Sequence, residues 1–242
     1  MHKNRATQEE VHSILDFPEA LAGIIKTLKM TVRMIEEEMN SATDNPLVYY
    51  KQDRVEEDKL VSAGNFHGEY VAKASDFLGF ALFELGKFSD ARIQKYINGK
   101  VSRLPPYLIK DGGLNSGMMI VQCKPSHNSD TSAALLSESK VLVKPASVDS
   151  IVTSAGQEDH VSMGGFAARK CEMLLHNISH ILGIELLMAF TAANELELKS
   201  SEKLDAILQK VKKTIDPPLV DRYFEPDIEE ATRLTSLNLQ SI

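Results

Sequence analysis

The 242-residue chain carries 27 basic and 34 acidic side chains, a net charge of −7 with histidines neutral, and two cysteines. That balance argues against nucleic-acid or anionic-membrane partners, which need clustered positive charge. With 43% hydrophobic and 25% charged residues it reads as an ordinary globular chain, and so few cysteines argue against a disulfide framework and for a reduced, cytoplasmic compartment.

From Pro18 to Asn40, apolar residues fall at Leu21, Ile24, Ile25, Leu28, Val32, Ile35 and Met39. This is one face of a helix, and Pro18 suits its first turn. Asp44-Asn45-Pro46 ends the helix, and Leu47 to Tyr50 has strand propensity. The charged stretch Lys51 to Lys59 and the apolar pair Leu60-Val61 complete a small hairpin near residues 47–62, or a surface loop. A second helix is expected from Tyr70 to Gln94, with Gly86 as an interruption. A third begins at Gly117, is broken by Pro125, and restarts through Thr131 to Lys140 with Ser129 or Asp130 as its cap. The fourth, Ala167 to Leu198, is apolar on nearly every side between Ile178 and Ala193. A helix of that kind is buried in a bundle or at a subunit interface, so an oligomer is expected. Leu204 to Lys213 is amphipathic, Asp216-Pro-Pro218 stops it, and a terminal helix begins near Arg222. No apolar run approaches the roughly 20 residues that span a bilayer, and the amino terminus lacks a signal-peptide core. The fold class is all-α: an elongated bundle of long helices in a single domain over residues 1–242.

Five segments carry a family pattern in order: Asn40-Ser-Ala-Thr-Asp-Asn-Pro-Leu47, Gly64-Asn-Phe-His67, Ser102-Arg-Leu-Pro-Pro106, Gly112-Gly-Leu-Asn-Ser-Gly117 and Gln157-Glu-Asp-His-Val-Ser-Met163. Together they resemble the carboxyl-terminal half of the histidine ammonia-lyases, within the aromatic amino-acid lyase family. Arg222-Tyr-Phe-Glu-Pro-Asp-Ile228 extends the likeness toward the carboxyl terminus. The resemblance implies one unbroken helix at the tetramer centre where this chain has Pro125. About seven residues are added there, either as close to two turns of helix or as a looped-out bulge containing Pro125.

Ammonia elimination needs an electrophile for the amine, a base for the β-proton and a cation for the carboxylate. The resemblance implies a methylidene-imidazolone built from an internal Ala-Ser-Gly as electrophile, and these 242 residues contain no such tripeptide. No cofactor is therefore expected. The resemblance places a glutamate that faces the substrate imidazole at Glu158 and an aromatic pocket residue at Phe66. The family's glutamine, tyrosine and arginine positions fall on Glu9, His12 and Leu15 in the weakly matched segment 1–17. Leu15 cannot make the bidentate pair that selects a carboxylate, and Glu9 would repel one. No catalytic residue is assigned.

Simpler roles stand beside these. Glu158 and Asp159 suit the amino terminus of a helix starting at Val161, His160 suits a helix-start hydrogen bond, and Phe66 suits a core. His67, His127, His160, His176 and His180 offer imidazoles, with His176 and His180 one turn apart, yet no convergent set of three or four ligands is legible. No metal site is expected. Ser154, Asp159 and His160 lack the strand-to-helix elbow of a nucleophile. The expected function is a truncated, histidine ammonia-lyase-related protein, not catalytic alone, that forms a homo-oligomer. The alternatives are one subunit of a split lyase completed by a separate Ala-Ser-Gly-bearing chain, and a structural or regulatory subunit that joins full-length lyases.

Overall fold

A computed structural model of the chain describes residues 16–51, 54–62, 65–108, 131–195, 201–217 and 222–236. The expectations for Glu9, His12, Leu15 and the break at Pro125 lie outside the described residues, as do the Gly112–Gly117 segment and Cys123. The order is α1 (Phe17–Met39), β1 (Leu47–Lys51), β2 (Arg54–Val61), α2 (Glu69–Ile97), the one-turn α3 (Gly99–Ser102), α4 (Thr131–Leu142), α5 (Gly164–Glu195), α6 (Glu202–Lys212) and α7 (Glu225–Ser236). Short 3-10 turns occupy Pro106–Leu108 and Ser154–Gly156. The fold class is all-α, with one antiparallel hairpin whose register pairs Leu47 with Val61 and Lys51 with Arg54.

Local sequence accounts for the ends. Pro18 occupies the first turn of α1, where its missing amide costs nothing. The Asn98 side chain accepts from the Lys100 amide at 3.1 Å and caps α3, and Ser201 caps α6 through the Leu204 amide at 3.4 Å. The expected interruption at Gly86 is not present: α2 runs through it without a break. The glycine serves packing, because a Cβ there would collide with the Ile178 side chain.

The described residues pack as two compact units. One holds 16–22, 82–108, 131–141, 175–195, 201–217 and 222–236. Its core is a single apolar cluster built on the α5 face Ile178, Ile181, Ile184, Leu187 and Phe190, each 0–1% exposed. Ile93, Val211, Phe224 and Ile228 complete it. Glu185 on the same helix is paired with Arg92, whose Nη2 donates to Oε2 at 2.8 Å and whose Nε donates to Oε1. Ser89 adds a hydroxyl donor to Oε2 at 2.7 Å. The Arg92 guanidinium also lies over the Phe17 ring, 4.3 Å from its centroid. Burial, then the Glu185 charge, raises the Tyr96 pKa.

The other unit comprises residues 23–81 and 142–174. Its interior is fine-grained, with Ala72, Ala74, Ala81 and Ala167 buried beside Ile24 and Leu174. A buried ion pair crosses it: Lys170 Nζ donates to Asp76 Oδ1 at 3.1 Å and to the Lys144 carbonyl, while Asp76 Oδ2 accepts from the Ser147 amide at 2.7 Å. Both charges are thus satisfied, as buried charges must be. Cys171 is buried and free, and burial pushes its thiol pKa up.

One expectation needs correction. Residues 164–194 of α5 are long and apolar enough, by length and composition, to cross a membrane. Glu185 is the sole Asp, Glu, Lys or Arg from Met173 to Phe190, and the polar residues His176, Asn177, Ser179 and His180 divide that stretch into shorter apolar runs. Its ion pair with Arg92 and the 0–1% exposure of its apolar face are the marks of a core helix.

Candidate functional site

Three of the five motif segments meet within the unit formed by residues 23–81 and 142–174. Asn65 Nδ2 donates to the Ala42 carbonyl at 2.5 Å, and Ser62 Oγ donates to Asn45 Oδ1 at 3.3 Å, so the turn after α1 is tied to the segment before α2. That segment is tied in turn to the loop before α5. Ser162 Oγ donates to the His67 carbonyl at 2.6 Å, and His67 Nε2 donates to the His160 carbonyl at 3.2 Å. The two imidazoles stack, with centroids 5.0 Å apart and planes inclined by 22°. Gly68 has φ +78°, and a Cβ on it would sit 3.4 Å from Ser162 Oγ. Only a residue at ease in the left-handed region turns the chain here against that hydroxyl.

The loop carrying Glu158 is shaped by its own hydrogen bonds. Thr153 and Glu158 form an isolated antiparallel bridge, with the Thr153 amide donating to the Glu158 carbonyl at 2.9 Å. The Glu158 carboxylate accepts from Thr153 Oγ1 at 2.5 Å and from Ser154 Oγ at 3.0 Å. These two hydroxyl bonds hold the carboxyl below the usual carboxylate range. Between them Ser154, Ala155 and Gly156 all have positive φ, at 52°, 56° and 92°. Two consecutive non-glycine residues in that region store strain, and such strain concentrates at functional sites.

Glu158 is exposed, and so is Phe66, at 57%. The expectation of Phe66 as core fails for that reason. The expectation that Glu158, Asp159 and His160 begin a helix fails too. The helix starts at Gly164, and its first amide bonds run from Phe166 and Ala167 to the Met163 carbonyl. Glu158 instead staples a strained turn, and the His160 carbonyl receives the His67 ring.

Ser154-Ala155-Gly156 has the residues of the family's electrophile tripeptide in a different order. It forms a 3-10 turn whose serine hydroxyl is engaged by Glu158. These residues do not fit the methylidene-imidazolone precursor, and no chemical step is derived through that group.

Sequence reasoning missed one convergence. His67, Glu69 and His160 each place a ligating atom within 4.8 Å of the others. His67 and His160 are 93 positions apart. The local signal was His67-Gly-Glu69, two ligating residue types separated by one glycine at the start of α2. Of the remaining motif segments, Ser102-Arg-Leu-Pro-Pro106 belongs to the unit containing residues 82–108.

The helical architecture and this clustering of motif segments define an ammonia-lyase type of scaffold. The aromatic amino acid lyase family model matches residues 2–213, and the chain belongs to that family. It is similar to histidine ammonia-lyase from Caenorhabditis elegans, 41% identical over 238 residues, which covers 98% of this chain and 33% of the relative. Histidine ammonia-lyase from Vibrio parahaemolyticus is 40% identical over 245 residues, covering 99% and 45%. The crystal structure of histidine ammonia-lyase from Trypanosoma cruzi superposes with a TM-score of 0.83 at 43% identity, covering 93% of this chain and 43% of that one. The chain thus spans between a third and a half of the length of these relatives.

Proposed function

We propose that this histidine ammonia-lyase-related chain carries part of an amino-acid ammonia-lyase pocket, is not catalytic by itself, and works as a helical oligomer in the cytoplasm. The observation that carries the reading is Glu158. Its carboxylate is kept ionised and oriented by two hydroxyls, on a strained turn, at the surface. A surface carboxylate has no need of such support for stability. A carboxylate that must face an imidazole does, because orientation and charge are what recognition requires. Phe66, exposed on the neighbouring segment, suits the apolar side of such a pocket.

The electrophile is absent from these 242 residues, as no Ala-Ser-Gly occurs in them. The chain alone then binds without turning over. Oligomer formation is supported by exposed apolar side chains: Val148 at 79%, Met39 at 78%, Val152 at 61% and Ile151 at 58%. Val148, Ile151 and Val152 are near neighbours in sequence, and contiguous exposed apolar surface marks protein contact sites. The direct test is ultraviolet difference spectroscopy of the purified chain, with nucleophile trapping read by mass. An adduct on the chain would overturn the reading.

A second reading is favoured by the same carboxylate. A pocket wall held in shape is consistent with a subunit of a split lyase, completed by a separate Ala-Ser-Gly-bearing chain. Mixing the two should then release ammonia from histidine, and Glu158→Ala should abolish that release. Activity indifferent to Glu158→Ala would remove the residue from the pocket.

A further inference from the structure

We propose that His67, Glu69 and His160 form a binding site for a divalent transition-metal ion of the zinc class. The inference stands on this chain's geometry and does not depend on ammonia-lyase activity.

Two imidazoles and one carboxylate are the donor set of open zinc sites, in which the remaining positions are left to water or ligand. Ligating atoms of all three side chains lie within 4.8 Å of one another. An ion bound at about 2.1 Å from each donor in tetrahedral geometry wants them about 3.4 Å apart. Side-chain rotation of the exposed His160, from its stack on His67, supplies the difference.

His67 Nε2 donates to the His160 carbonyl at 3.2 Å, which leaves Nδ1 as the ring nitrogen open to an ion. A backbone carbonyl on the far nitrogen is the usual partner of a metal-ligating histidine, fixing both tautomer and ring plane. Nδ1 faces Glu69 Oε2 at 3.9 Å. The other carboxylate oxygen, Oε1, lies 3.3 Å from Lys73 Nζ, which orients the group without occupying Oε2.

The backbone that carries the donors is held from two sides. Ser162 pins the His67 carbonyl, and Gly68 makes the left-handed turn that sets Glu69 at the start of α2. The alternative imidazole pair, His176 and His180, has ring centroids 4.3 Å apart, but no third donor converges on it among the described residues. Among the described residues, His67, Glu69 and His160 form the group of three with converging donors.

The experiment titrates the metal-stripped 242-residue chain with Zn2+ by calorimetry and with Co2+ by visible absorption. One equivalent should bind. His160→Ala and Glu69→Gln should each weaken binding by at least about tenfold, with circular dichroism unchanged. Neither side chain is buried, and the hydrogen bonds to the His67 and His160 carbonyls remain in both variants, so folding and binding stay separable. The double variant His176→Ala, His180→Ala should bind as the parent does. Three results overturn the proposal: no binding by the parent chain, binding indifferent to His160→Ala and Glu69→Gln, or a cobalt–thiolate charge-transfer band that puts the ion on cysteine.

Discussion

Thr153 and Glu158 hold each other twice, by the backbone pair across a one-bridge turn and by a 2.5 Å bond from the threonine hydroxyl to the carboxylate. The hydroxyl stabilises the ionised form and lowers the carboxyl pKa. Thr153→Ala should therefore move the Glu158 pKa up toward the ordinary glutamate value, measured by carboxyl-resolved NMR titration. The sign for the turn follows: a depressed folded pKa gives stabilisation that is present above the unfolded value and lost as pH falls through the folded one. Chemical shifts of residues 153–158 should change on acidification below the ordinary glutamate range, and in Thr153→Ala that change should come at higher pH. An unchanged Glu158 titration would contradict the arrangement.

The turn is also strained. Ala155 has φ 56°, a conformation costing an L-residue roughly 1–2 kcal/mol. Ala155→Gly should raise stability by about 1 kcal/mol in denaturant unfolding. A loss of stability would mean that the left-handed turn does not exist in solution.

Asp76 and Lys170 are a pair whose removal should be severe. The side chains are 4% and 6% exposed, and breaking a buried pair from one side leaves an uncompensated charge, at about 3–5 kcal/mol. Asp76→Asn should approach that cost. Joint replacement by apolar residues, Asp76→Leu with Lys170→Met, should recover much of it. Equal losses in the single and double variants would indicate that the Ser147 and Lys144 backbone contacts, not the charges, dominate.

Two glycines separate rigid from yielding neighbours. A Cβ at Gly183 would meet the Thr232 backbone, 2.8 Å from its nitrogen and 3.0 Å from its Cα. At Gly86 it would meet the tip of Ile178, a side chain that can change rotamer. Overpacking costs about 1–3 kcal/mol when nothing yields, so Gly183→Ala should destabilise more than Gly86→Ala. Thermal unfolding of the two variants decides it.

The long helices were legible because their signal is local. The apolar positions Leu21 through Met39 placed α1 within one residue of Phe17–Met39, and the Val71 to Leu85 series placed the start of α2 within one residue and its end three residues short of Ile97. Hydrogen bonds four residues apart and a 3.6-residue period tie pattern to structure within one segment. Gly86 misled because glycine is a poor helix residue taken alone, and its reason, the Ile178 side chain, lies 92 positions away. The joins that build the site are of the same kind. His67 with His160, and Asp76 with Lys170, are separated by 93 and 94 positions. No periodicity states which side chains meet over such distances. Glu158 and Phe66 were found through the family pattern of their neighbours, which named positions without naming the turn that presents them.

For assembly, light scattering of the purified chain should give a mass above the monomer's 26.8 kDa. A clean monomer would mean that Val148, Ile151, Val152 and Met39 face solvent and that the chain's apolar surface has no partner of its own kind.

The most direct test of the functional account is a continuous assay of the purified chain with histidine, following urocanate absorbance. The account predicts no rise above the protein-free rate, because no electrophile can form from these residues. A steady, protein-dependent rise from the lone chain, abolished by Glu158→Ala, would contradict it and make this chain an enzyme in its own right.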